Sequence, residues 1–296
     1  MAAVPTLRGL RDVRPIGQGS FASVFRAVED ITYREVAVKV LRSEIDADLA
    51  ERAFLTEAAV LGKIGTHPNV IDLFRAEHGA GGPSFLVMPF IDGGDLQTLI
   101  RSDGAIGWTR TARILQRILD ALRFAHRNKV LHCYLKPANV LLTVDEVPVL
   151  IDFGVSRFVG AAMQPATSLG AWSFTAPECL VGEAPTAQSD LYAVGAIAHA
   201  LLTGRPPVDL GRSTGPAEAA SARRTAVVEA LPGTVPAGAV AVLRSLIAIT
   251  PDMRPVSADA ALQELAPHID PFASGLARAP ITHGASASGN QWWRQT

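Results

Sequence analysis

Five short stretches of this chain carry residue types able to do chemistry on an anion. In Gly17-Gln18-Gly19-Ser20-Phe21-Ala22-Ser23-Val24, missing side chains let backbone N–H groups approach a bound anion, although glycines between strands more often serve only a turn. Val36-Ala37-Val38-Lys39 sets an ammonium among apolar neighbours, which is expensive unless the head group meets anionic partners. Glu57 offers a carboxylate on the helix face that carries Phe54 and Leu61. His132-Cys133-Tyr134-Leu135-Lys136-Pro137-Ala138-Asn139 gathers imidazole, phenol, ammonium and amide groups. Asp152 ends the apolar run Val149-Leu150-Ile151 and leads into Phe153-Gly154. Singly, each has an ordinary explanation: a solvated strand lysine, a surface glutamate, an Asp-Gly turn.

The elements that must position these groups can be read from pattern. Between Leu10 and Phe90, β-branched and aromatic residues near Val24-Phe25, Val36 to Leu41 and Phe85 to Met88 predict short strands separated by glycine. One helix interrupts them, Leu49 to Leu61, with Phe54, Ala58 and Leu61 recurring at three- and four-residue steps. Asp92-Gly93-Gly94-Asp95 makes a turn, and Asp95 is the expected N-cap of Leu96 to Ile100. Helical patterns then dominate: Arg110 to Asn128, Ser189 to Leu202, Val240 to Ile249, and Ser257 to Leu265 with Ser257 as cap. The irregular stretch from Asp152 to Glu178 is long enough to suggest a functional segment. The tail from Phe272 to Thr296 is rich in Ala, Ser and Gly, and its Trp292-Trp293 pair suggests a docking peptide or a patch folded back on the body.

In their order along the chain the five stretches resemble the nucleotide site of protein kinases. The resemblance extends through His67-Pro68-Asn69-Val70, Ala176-Pro177-Glu178, Ser189-Asp190-Leu191-Tyr192-Ala193-Val194-Gly195 and Asp252-Met253-Arg254-Pro255, from about Leu10 to Leu265. It implies an α+β, bilobal fold nearest the bacterial serine/threonine kinases. An extension over residues 1–9 would precede a kinase-like domain over 10–268, with a small lobe of antiparallel strands and one helix over 10–88. A hinge at 89–92, a mostly helical lobe over 93–268 and a tail over 269–296 would follow. By this resemblance Gly17, Gly19, Val24, Ala37, Lys39, Glu57, Met88 and Phe90 would bind ATP, Asn139 and Asp152 would hold Mg2+, and Lys136 would belong to the catalytic loop. Leu61, His132 and Phe153 would stack as a spine anchored by Asp190, and Glu178 and Arg254 would form a buried ion pair.

The chain departs from the family where the base should be. Tyr134 occupies the position of the catalytic aspartate. A phenol of ordinary pKa, about 10, is neutral near pH 7 and far larger than a carboxylate. Cys133 replaces an arginine that in many kinases clamps a phosphorylated loop, and Ala171 replaces a threonine that bridges the aspartate and lysine. These departures imply an ATP-binding pseudokinase with a regulatory or scaffolding role toward a protein partner. The alternatives are a weakly active serine/threonine kinase acting on a protein hydroxyl, and a scaffold that needs no nucleotide. Thr167 and Ser168 offer hydroxyls to another kinase.

Composition narrows the field further. The 296 residues and 48% hydrophobic content suit one large or two modest domains. A net charge of -1 gives no electrostatic case for nucleic acid or an anionic membrane as main partner. Cys133 and Cys179 stand far apart, without a disulfide or zinc pattern. The first residues lack a secretory signal pattern, and the run Leu191 to Leu202 is too short to span a bilayer, so a soluble, cytoplasmic protein is expected.

Overall fold

A computed structural model describes residues 5–18, 22–42, 47–78, 83–153, 171–208, 215–225 and 230–269. Gly19, Gly154, Thr167, Ser168, Trp292 and Trp293 lie outside the described residues.

The N-terminal part is a five-stranded antiparallel sheet in the order β1-β2-β3-β5-β4: β1 Leu10–Gln18, β2 Ala22–Glu29, β3 Glu35–Leu41, β4 Arg75–Glu77 and β5 Phe85–Pro89. Strand side chains alternate between faces, and this sheet uses both. Phe25, Ala27, Val36, Val38, Val40, Phe85 and Val87 build one small core with Leu7 and Leu10. Leu86 and Met88, on the other face, join the large core shared with the rest of the molecule. In cross-strand register on that second face, Gly17 opposes Val24, Val24 opposes Lys39 and Lys39 opposes Leu86. Ala37 opposes Met88 one pleat away. The helix expected over Leu49 to Leu61 runs longer, as α1 Ala47–Ile64. It contributes Phe54 and Leu61 to the large core.

Helices make up most of the remainder: α2 Leu96–Asp103, α3 Trp108–Arg127, α4 Pro177–Leu180, α5 Ala187–Thr203, α6 Pro216–Thr225, α7 Ala237–Leu246 and α8 Ala258–Leu265. Helix α5 is the axis of this lobe, buried continuously from Ser189 to Leu202. Gly195 lets it approach α7 closely, since a Cβ there would meet the Ile247 and Leu246 side chains at 2.7 Å. Together the antiparallel sheet and the helical part form a bilobal α+β fold. Among the described residues no helix is long and apolar enough to cross a membrane.

One hairpin serves the site directly. Strands β6 Val140–Leu142 and β7 Pro148–Leu150 pair antiparallel, with Val140 opposite Leu150. Residues just outside the pairing are therefore brought together, and the Ile151 N–H donates to the Asn139 carbonyl at 3.1 Å. The hairpin is fastened from two sides. Asn69 donates through Nδ2 to the Pro148 carbonyl at 2.8 Å, and Leu150 N–H donates to the Asn69 carbonyl. Gly93 packs so tightly that a Cβ would lie 2.2 Å from the Thr143 carbonyl oxygen.

Asp95 caps α2, its Oδ1 accepting from the Thr98 N–H at 2.6 Å. Asp95→Ala should cost about 1 kcal/mol, the usual worth of such a cap, measured as a lowered urea midpoint at unchanged slope. Ser257 caps α8 in the same way, accepting from Ala260 N–H at 3.1 Å.

Candidate functional site

Lys39 is the hub. Its Nζ lies 2.8 and 2.7 Å from the two carboxylate oxygens of Glu57 and 2.8 Å from Oδ1 of Asp152. Strand β3, helix α1 and the segment after β7 therefore converge on one ammonium. The sequence forces this meeting: Lys39 points away from the small core because Val38 and Val40 point into it, and Glu57 shares its helix face with Phe54 and Leu61. Burial disfavours the ammonium's charge, but Asp152 and Glu57 more than offset it and hold the Lys39 pKa above its ordinary value. Burial likewise pushes Asp152 up, yet Lys39, with a further contribution from Lys136, pulls its carboxyl below the usual range. For Glu57 burial prevails over the attraction of Lys39, and its carboxyl is raised. When all three are ionised, two carboxylates face one cation.

Asp152 adopts a left-handed backbone conformation, φ 62°. Non-glycine residues hold this region only where their surroundings enforce it, at a cost of about 1–3 kcal/mol. Here the enforcing contacts are the hairpin behind Asp152 and the fully buried Phe153 beside it. The Phe153 ring packs 4.5 Å, centroid to centroid, from that of His132. Leu61 belongs to the same core as Phe153.

The loop from His132 to Asn139 hangs from Asp190 in the first turn of α5. The Asp190 carboxylate accepts from the His132 N–H at 2.9 Å and the Cys133 N–H at 2.8 Å, and His126 Nε2 lies 2.8 Å from its Oδ2. Cys133 also has positive φ, 64°. Burial would raise the Asp190 pKa, but its partners, His126 foremost, hold it low. Burial pushes the His132 imidazole down, keeping it neutral. With its backbone pinned, the loop turns through Pro137–Asn139. The Asn139 side chain faces back and donates through Nδ2 to the Tyr134 carbonyl at 2.8 Å. Its Oδ1 is buried and has no hydrogen-bond partner among the described residues.

At the position of interest, the Lys136 Nζ donates to the Tyr134 hydroxyl at 3.3 Å and stands 4.5 Å from the centre of its ring. Lys136 is buried and Tyr134 half-buried. Gly17, Val24, Ala37, Lys39 and Met88 share one sheet face, as described. Phe90 follows β5, with the Arg26 guanidinium 4.6 Å above its ring, a contact that its sequence neighbourhood does not signal. The His126–Asp190 pair also escaped the reading of the sequence; its signal is a histidine near the end of α3, just before the loop.

The expected ion pair is present. Arg254 holds Glu178 bidentately at 2.7 and 2.8 Å, and its remaining donors reach the Ala248, Gln188 and Ile249 carbonyls. Glu178 also accepts from the Ser189 hydroxyl at 2.8 Å.

Taken with this fold and these contacts, sequence comparison is decisive: the chain belongs to the protein kinase family, whose protein kinase domain matches residues 10–265. It is similar to the serine/threonine-protein kinase PknK of Mycobacterium bovis, with 41% identity over 198 residues, or 66% of this chain and 18% of that protein. It is also similar to the serine/threonine-protein kinase PknB of Mycobacterium leprae, with 31% identity over 202 residues, 65% of this chain and 32% of that protein. The chain thus spans a third or less of the length of these relatives. Both relatives are bacterial serine/threonine-protein kinases.

Proposed function

We propose that this chain binds ATP and Mg2+ between its lobes and acts as a pseudokinase, presenting a nucleotide-dependent surface to a protein partner. The observation that carries this reading is that the hairpin joins, through the Ile151 N–H on the Asn139 carbonyl, the segment of Asp152, which binds Lys39, to Asn139, whose buried Oδ1 lacks a partner among the described residues. A hard divalent cation takes oxygen ligands, and these two residues would hold it. Among the described residues no three His, Cys, Asp or Glu side chains converge on a metal site of their own, so phosphate and water oxygens would complete the shell. When bound, the ion would neutralise charge on the phosphates.

In this reading Lys39 grips the phosphates, Glu57 orients Lys39, and Gly17 and Gly19 admit backbone N–H groups to them. Val24, Ala37, Met88 and Phe90 surround the base. The domain runs over 10–268, with a small lobe over 10–88 and a hinge at 89–92. Tyr134 supplies no carboxylate for the acceptor's proton, and its ring fills volume that an aspartate would leave open. If nucleotide binds one arrangement of the lobes better than another, occupancy shifts the population between them.

The test is thermal unfolding with ATP, with and without Mg2+. ATP at about 100 times its Kd should stabilise the wild type by about 2.7 kcal/mol, and Asp152→Asn should lose the Mg2+-dependent part. No Mg2+-dependent shift in the wild type would overturn the proposal. A second reading, a slow serine/threonine kinase, is favoured by the intact Lys39–Glu57–Asp152 cluster and by Lys136 beside it. It requires labelling of a protein substrate that survives Tyr134→Phe.

A further inference from the structure

Tyr134 is more than an obstruction. Its hydroxyl is hydrogen-bonded to the Lys136 ammonium at 3.3 Å, and Lys136 is close enough to Asp152 for its charge to act on that carboxylate. Asp152 in turn touches Lys39 at 2.8 Å. The loop that carries the phenol thus sets its own cation, Lys136, against the phenolic oxygen. The Tyr134 main chain is tied to the same cluster, its carbonyl accepting from Asn139 Nδ2 at 2.8 Å. Asn139, proposed to hold the metal, thus also fixes the loop that carries the phenol.

We propose that Tyr134 is itself a phosphoryl acceptor, modified once, within its own chain, by the ATP bound at this site. The inference rests on the nucleotide-binding reading above. Chemically, the Tyr134 Oη–Pγ bond forms as the bond from Pγ to the β,γ-bridging oxygen breaks. ADP departs with that bond's electron pair, and the phenolic proton passes to water. Lys136 faces first the phenol oxygen and then the phosphoester. Phosphoryl transfer of this kind depends mainly on positioning and charge stabilisation. A phenol is also a far stronger acid than a serine hydroxyl, so the lack of a carboxylate base costs it less. A nucleophile already anchored beside the phosphate site gains the advantage of an intramolecular reaction. Once esterified, Tyr134 is spent, and a dianionic group pairs with Lys136 at the mouth of the site.

Incubation of the full chain with γ-labelled ATP and Mg2+ tests this. The expected result is labelling that saturates at no more than one phosphate per chain, with a rate constant independent of protein concentration. Peptide mapping should place it as phosphotyrosine at Tyr134. Tyr134→Phe, confirmed as folded by an unchanged melting temperature without nucleotide, should remove the label, and Lys136→Ala should slow its appearance tenfold or more. Mg2+·ATP stabilisation of the wild type without labelling would overturn this inference while leaving the nucleotide-binding reading intact. Labelling confined to serine or threonine and retained in Tyr134→Phe would overturn it in favour of the slow kinase. Absence of any nucleotide-dependent stabilisation or labelling would overturn both.

Discussion

Tyr134→Asp is expected to raise transfer of phosphate from ATP to a protein hydroxyl by about 10²–10⁴-fold, the usual contribution of a positioned general base. Kinases turn over at roughly 1–100 per second, so the unaltered chain would lie at about 10⁻⁴–1 per second if the base alone were missing. The replacement does two things at once. It installs a carboxylate ionised at neutral pH, and it removes a ring from the place where an acceptor hydroxyl would sit. The surrounding frame needs no rebuilding: Asp190 holds the loop by the His132 and Cys133 N–H groups, and Asn139 holds residue 134 by its carbonyl, neither of which involves the altered side chain. Lys136, now hydrogen-bonded to a phenol, would acquire an anionic neighbour. Radiolabel transfer to an exogenous protein substrate measures the gain, with Tyr134→Asp/Asp152→Asn as the inactive control. A reverted chain that binds Mg2+·ATP but transfers no faster would show that something besides residue 134 disables it.

Arg254→Ala should destabilise the chain by about 3–5 kcal/mol, the cost of stranding one member of a buried ion pair. For a domain of this size that corresponds to a fall of roughly 6–20 °C in melting temperature. Glu178 would lose both bidentate bonds and keep the Ser189 hydroxyl, while the Gln188, Ala248 and Ile249 carbonyls would lose a shared donor. Replacing both partners by apolar residues of similar volume should cost less, because no unpaired charge remains buried. The pair also predicts an acid limb. Burial alone would raise the Glu178 pKa, but the bonds from Arg254 and Ser189 leave it lowered. A carboxyl lowered in the folded state contributes stability that is complete above its unfolded pKa, about 4.3. That contribution is lost as pH falls through the folded value. Urea titrations from pH 7 downward should show this loss below about pH 4 in the wild type and a flatter profile in Arg254→Ala. Equal slopes would remove Glu178 from the account.

Much of this architecture was legible because several independent signals agreed. Lys39 stood out as a cation in an apolar strand, and the strand period that buries Val38 and Val40 necessarily turns Lys39 to the opposite face. Asp95 and Ser257 were readable as caps because their side chains act within three residues of themselves. The Glu178–Arg254 pair, remote in sequence, followed from family resemblance alone; no local pattern links the two. What escaped is non-local or cooperative. The His126 contact with Asp190 depends on where α3 ends relative to α5, and the Arg26 guanidinium over Phe90 depends on sheet register. Helix α6 has short, alanine-rich periodicity that gave no distinct signal. The orphaned Asn139 Oδ1 is invisible to sequence, because a lone pair becomes an orphan only when neighbouring donors are accounted for in three dimensions.

The threefold junction at Lys39 bears on how the protein should be disarmed. Removing that ammonium is no silent deletion: it leaves Glu57 and Asp152, on separate segments, in direct electrostatic confrontation, so a Lys39→Ala chain confounds lost ligand grip with internal repulsion. Neutralising Asp152 instead preserves the bidentate embrace of Lys39 by Glu57 and withdraws the one carboxylate charge that Lys39 and a bound cation would share. For this molecule the aspartate is the cleaner switch, and the customary lysine knockout is the more ambiguous tool.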